Sequence, residues 1–271
     1  MRRRPTSPIQ ISERELTALT RDLDEMHRAT LPVMHDAVAE WKEDLRSRGE
    51  QPEPDVLATS RRRFLVGTGA AFGGLLLAAC GSTDDDGEET GGRKQGSATE
   101  AVRPLTGDFA IAALAASIEN LAVNTYQAGL EAATAGRLGE VPPAVAAFAK
   151  TAQQHHGDHA GAWNQVLTTG RRHTVTGVDR TVKGNVDPAF AQVNDVAGLA
   201  RLALELEKVA AATYLKSISA IKNNGALKVA ASIQPVEMQH AAILHFALGE
   251  YPVPDSFAKE DGARSATDQI G

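Results

Sequence analysis

Residues 118–126 read IENLAVNTY and residues 206–214 read LEKVAAATY. Each has Glu followed six and seven positions later by Thr-Tyr. Seven residues make almost two helical turns, so Glu119 shares a face with Tyr126, and Glu207 with Tyr214. A second pair of segments repeats in step with the first. Residues 156–163 read HGDHAGAW and residues 237–244 read EMQHAAIL. Both place a side chain able to ligate, then His three positions on, then Ala, then a bulky apolar residue. Positions i and i+3 lie about 60° apart around a helix, so both members of each pair point to one side. The chain therefore carries two similar halves, matched at positions that bear chemistry as well as at apolar ones.

Outward from these segments the pattern is helical. Asp108 can cap a helix running to about Ala135, closed by Gly136 and Gly139. Pro142-Pro143 open a second helix to about Thr168, stopped by Gly170. Residues 170–194 carry turn formers and β-branched residues and read as a long connection. A third helix follows Asn194-Asp195 and ends at Asn223-Asn224-Gly225. A fourth runs from about Ala226 to Leu248, with Pro235 as a kink. Short loops within each half make antiparallel neighbours, and one long crossover between helices two and three completes an all-α four-helix bundle. Composition agrees: 46 alanines against 4% aromatics favour closely packed helices over a β-sandwich.

The spacing of Glu119, His156 and His159, Glu207, and Glu237 and His240 resembles the ferritin-like superfamily, in particular its secreted or lipid-anchored bacterial members. In such proteins a single Glu on each of two helices and a Glu-x-x-His pair on each of the others hold two metal ions. The resemblance covers residues 108 to about 256, including Tyr251-Pro-Val-Pro-Asp-Ser-Phe257 after the last helix. It implies that Glu119 and Glu207 take the single-Glu places, and that Glu237 with His240 forms one pair. His159 then supplies the His of the other. His156 stands where the pattern has Glu, leaving three carboxylates and three imidazoles. Nitrogen donors suit a single or asymmetric transition-metal site better than a pair of hard ions. Iron is the expected metal, with Mn or Zn as alternatives, one or two per domain. His155 shares a face with His159 at i, i+4, but alignment of the halves selects His156. A metal-free polar core, in which these groups hydrogen-bond one another, is the competing reading.

The remaining polar residues draw plainer expectations. Tyr126, Tyr214 and Trp163 read as packing residues. Asp158 falls about 200° around the helix from His156 and is expected in solvent with Glu205 and the Arg171-Arg172 loop. His173 and His245 read as exposed or structural. No nucleophile elbow, phosphate-cradling loop or dinucleotide fingerprint is present. A net charge of −6 gives no basic surplus for nucleic acid.

The N-terminal third is organised differently. Residues 64–80, FLVGTGAAFGGLLLAAC, carry no charge and follow Ser60-Arg61-Arg62-Arg63. Seventeen residues with four glycines are short and weakly apolar for a membrane span, and suit a signal peptide better. SRRRFL resembles a twin-arginine export signal, with Arg61 and Arg62 as its pair, and Leu77-Ala78-Ala79-Cys80 resembles a lipobox. The resemblance implies a lipid on Cys80, the only cysteine, and removal of everything before it. Residues 81–104 are acidic and rich in Gly and Ser, a tether rather than a core. Leu16, Leu19, Leu23, Met26, Leu31, Met34, Val38 and Trp41 recur at three- and four-residue spacing, so residues 11–47 read as an amphipathic helix. It is either a solvated leader or a helix that binds an export chaperone or covers the domain before export. His27 and His35 are expected at its surface.

The resulting division is a leader (1–59), signal and lipobox (60–80), tether (81–104), four-helix domain (105–257) and polar tail (258–271). It describes a lipid-anchored, extracytoplasmic protein exported by twin-arginine machinery, able to form a homo-oligomer. Its metal centre would oxidise Fe(II) or handle oxygen species. The alternative is a metal-free bundle acting as a cell-envelope interaction module.

Overall fold

A computed structural model of the chain describes residues 11–48 and 105–266. Arg61, Arg62, Cys80 and the tether lie outside the described residues. The described residues contain six helices and no strand: α1 (Glu13–Ser47), α2 (Gly107–Thr134), α3 (Pro143–Thr169), α4 (Arg180–Ala191), α5 (Val196–Ala220) and α6 (Asn224–Ala247).

The four expected bundle helices are α2, α3, α5 and α6. α2 packs along α3 and α5 along α6, each pair joined by a short connection, and α2 meets α5 across the bundle. Local chemistry sets the ends. Gly136 and Gly139 take positive φ of 71° and 72° in the turn after α2, where a Cβ would be strained. Asp195 accepts the Gly198 N–H at 2.7 Å and Asn223 accepts that of Ala226 at 3.1 Å, satisfying the first turns of α5 and α6. Asp108 does not cap its own helix, whose N-cap is Thr106. Its carboxylate accepts the backbone N–H groups of Lys222 (3.1 Å) and Asn223 (2.8 Å), tying α2 to the start of α6.

Residues 170–194 form the long connection expected between the second and third bundle helices, and within it lies a further helix that was not expected, α4, whose N-cap Asp179 accepts the Val182 N–H at 2.8 Å. Val182 and Val186, one turn apart, bury against Leu121 with Val178, Leu206 and Val209 at the edge. Pro188 and the valines masked a helix only 12 residues long, because tertiary burial outweighs their weak propensity. The tail also returns to this region, where Arg264 donates to buried Asp179 at 3.2 Å.

Of the alternatives open for residues 11–47, α1 takes the one in which the helix covers the domain rather than the solvated leader. Its apolar stripe is buried, with Leu16, Leu23, Met34, Ala37, Val38 and Trp41 each under 9% exposed. α1 lies along both α3 and α6, which touch each other little, so it fills the groove between them as a fifth long helix. Gly225 shows how closely it approaches: a Cβ there would stand 2.4 Å from the Ala37 carbonyl oxygen and 2.6 Å from the Trp41 nitrogen. Asn223 hydrogen-bonds Asp44 and Lys228 pairs with Glu40, pinning the two helices at the same level. The larger side chains of this stripe are together worth on the order of 10 kcal/mol of gross burial, which a solvated leader would forgo.

Candidate metal centre

Glu119 on α2, His156 and His159 on α3, Glu207 on α5, and Glu237 and His240 on α6 are all within 1% of complete burial. The helical spacing turns each of them inward, and the bundle brings all six together. Glu119, His156, His159 and Glu237 form one group whose ligating atoms lie within 4.8 Å of one another; His156, Glu207, Glu237 and His240 form a second. His156 and Glu237 belong to both groups, so the two overlap along one seam.

His156 occupies the middle. Its Nδ1 lies 2.7 Å from Glu119 Oε2 and its Nε2 lies 3.2 Å from Glu207 Oε1, so one ring spans the two halves. His240 Nδ1 lies 3.3 Å from Glu207 Oε2. His155, its sequence neighbour, turns the other way, toward His240 Nε2 at 3.1 Å and Asp24 Oδ1 at 3.4 Å. His159 Nδ1 comes within 2.9 Å of Glu237 Oε1 but out of hydrogen-bonding alignment. Both Glu237 oxygens and His159 Nδ1 are therefore buried without a hydrogen bond. A buried carboxylate left so costs several kcal/mol unless a cation meets it.

The electrostatics follow from this packing. Burial pushes Glu119 up, but His159 and His156 outweigh it and hold the carboxyl at about 2. Burial pushes His159 down, yet Glu119 and Glu237 raise it to about 9. His156 and His240 are also raised despite burial, by Glu207 and Glu237. Glu119 and Glu207, held low, thus face imidazoles whose protonated forms the carboxylates favour.

The tyrosines do more than pack. Tyr126 donates to Glu207 at 2.5 Å, and Tyr214 donates to Glu119. Each half's tyrosine therefore reaches the other half's Glu, a crossed arrangement. Burial and the adjacent carboxylate raise both phenols well above their usual value, so they stay protonated donors. Trp163 is core, as expected, and also donates to the Tyr214 oxygen at 2.8 Å.

A family profile described as the ferritin-like domain matches residues 107–250. The chain belongs to the ferritin-like domain family. No curated protein and no solved structure matches it. Within this ferritin-like domain the Glu/His groups are compatible with a bound metal ion, and the Glu237 oxygens and His159 Nδ1, which make no hydrogen bond, fit one.

Sequence reasoning missed what α1 brings. His27 is 3% exposed rather than at the surface, because α1 is packed and not solvated. Its ring stacks on His155 with centroids 3.9 Å apart and meets His159 edge-on at 5.2 Å. Asp158 is only partly in solvent, since its Oδ2 lies 3.2 Å from His27 Nε2. His35, His173 and Glu205 are exposed, and His245 pairs with Glu250 at the rim.

Proposed function

We propose that this ferritin-like chain is a lipid-anchored, extracytoplasmic metal-binding protein whose centre takes a transition metal, iron first and Mn or Zn next. The observation that carries the reading is the cluster of three carboxylates and three imidazoles, all buried, in which the Glu237 oxygens and His159 Nδ1 lie close together but make no hydrogen bond. Glu119, His156, His159 and Glu237 would hold one ion; Glu207 and His240, sharing His156 and Glu237, would hold another.

An iron ion held there would supply one-electron exchange with dioxygen or a peroxide. The chain's own residues prepare for this in defined ways. Tyr214 and Tyr126 each fix one oxygen of Glu119 and Glu207, which orients the other toward the centre. The buried apolar walls around Trp163 and Phe148 exclude bulk water. Membrane anchoring rests on Arg61, Arg62 and the lipobox before Cys80 in the sequence. The competing metal-free envelope module is favoured by one feature, the close contact of the carboxylates with imidazoles whose protonated forms they favour.

Metal analysis of protein purified without chelator separates the two. Near-stoichiometric Fe, Mn or Zn that is lost in Glu207→Ala and Glu237→Ala supports a metal centre. Folded wild-type protein free of all three overturns it.

A further inference from the structure

Among the described residues, α1 supplies two polar groups that touch the centre's surroundings, Asp24 and His27, and neither belongs to the six candidate ligands. Asp24 divides its carboxylate between two partners. Oδ2 pairs with Arg28 at 2.7 Å, which leaves Oδ1 for His155 Nε2 at 3.4 Å. A carboxylate can only accept, so His155 must carry its proton on Nε2. Its Nδ1 is then a bare acceptor, 3.1 Å from His240 Nε2. That nitrogen of His240 must donate, and the nitrogen left to face Glu207 and Glu237 is Nδ1. His27 lies flat on the His155 ring and holds it in this plane, anchored in turn by Asp158.

We propose that α1 is a structural part of the metal centre, with Asp24 a positioning residue that acts through His155 to turn the Nδ1 of His240 toward the metal. The inference rests on the metal-binding reading. It gives α1 a positioning role at a centre whose six candidate ligands all come from the other helices. Carboxylate–imidazole pairs of this kind orient metal-bound histidines generally, and here the chain of contact is one imidazole longer.

The test uses the full chain in two arms. Without metal, the ¹⁵N shifts of the His155 ring report its tautomer. The Nε2–H form is expected in wild type and in Asp24→Glu, and a mixed or Nδ1–H form in Asp24→Asn. With Co(II) as probe, competition against a chelator should show Asp24→Asn weakened about 10- to 100-fold. Arg28→Ala, which leaves Oδ1 in place, should stay within a few-fold of wild type. An Nδ1–H tautomer on wild-type His155, or Co(II) binding by Asp24→Asn equal to wild type, overturns the proposal. Wild type that takes up no Co(II) overturns the metal-binding reading instead, and the metal-free tautomer still decides whether Asp24 orients His155.

Discussion

His156 contacts Glu119 with one ring nitrogen and Glu207 with the other, where its counterpart in the second half is Glu237. One imidazole thus takes the space in which a carboxylate could bridge two ions. Wild type should therefore bind about one tight transition metal or an asymmetric pair, and His156→Glu should raise iron stoichiometry toward two, since an added carboxylate favours hard cations. His155→Glu should not, because the His155 ring is directed to Asp24 and His240 Nε2 rather than to Glu119. Iron analysis of the three proteins decides this, and a gain in His155→Glu alone would shift the centre by one residue. A second prediction concerns protons. His159 is held at about 9, so it is protonated at neutral pH without metal, and a metal at Nδ1 must displace that proton. Binding should release at least one proton per ion, and affinity should rise by at least about tenfold per pH unit below pH 9. In the metal-free chain the sign reverses: a raised imidazole stabilises fully below 6.5 and loses that contribution as pH climbs through 9. The thermal gap between metal-loaded and metal-free protein should therefore widen from about pH 6.5 to about 8.5, and calorimetry in buffers of different ionisation enthalpy counts the protons.

At the scale of elements, α1 decides how stable the bundle is. Gly225 sits against the α1 backbone, so Gly225→Ala forces the helices apart and should cost about 1–3 kcal/mol, against a gain from better helix propensity were α1 a detached leader. Thermal denaturation of the full chain distinguishes the two by sign. The spacing of Leu16, Leu23, Met34, Val38 and Trp41 did reveal a helix over residues 11–47, with the capping box of Ser12 and Glu15 at its start. What that spacing could not reveal is the partner. An apolar stripe states that something covers it, and only the groove between α3 and α6 says what.

For the whole molecule, the export reading and the packing of α1 meet at Cys80. We predict that Cys80→Ser releases the ferritin-like domain from membranes or leaves an unprocessed precursor, and that Arg61→Lys with Arg62→Lys blocks export. Membrane fractionation reads both, and undiminished surface display of the double variant removes the twin-arginine reading. An export signal at residues 60–80 would leave α1 on the cytoplasmic side of the membrane from the domain it packs against, so the absence of residues 1–79 from the exported domain is expected, and their co-purification with it overturns the export reading. The bundle and its six candidate ligands were legible in the linear chain because helical period alone ties i to i+3 and i+7, and the two halves repeat that period. Glu119, His156, His159, Glu207, Glu237 and His240 were grouped by that spacing together with the resemblance to ferritin-like proteins. The crossed tyrosine bonds, the divided carboxylate of Asp24 and the anchoring of His27 by Asp158 depend on contacts between residues 81 to 131 positions apart. Periodicity carries no information about such pairs, since it fixes the face a side chain takes on its own helix and leaves the neighbouring helix to the packing of the core.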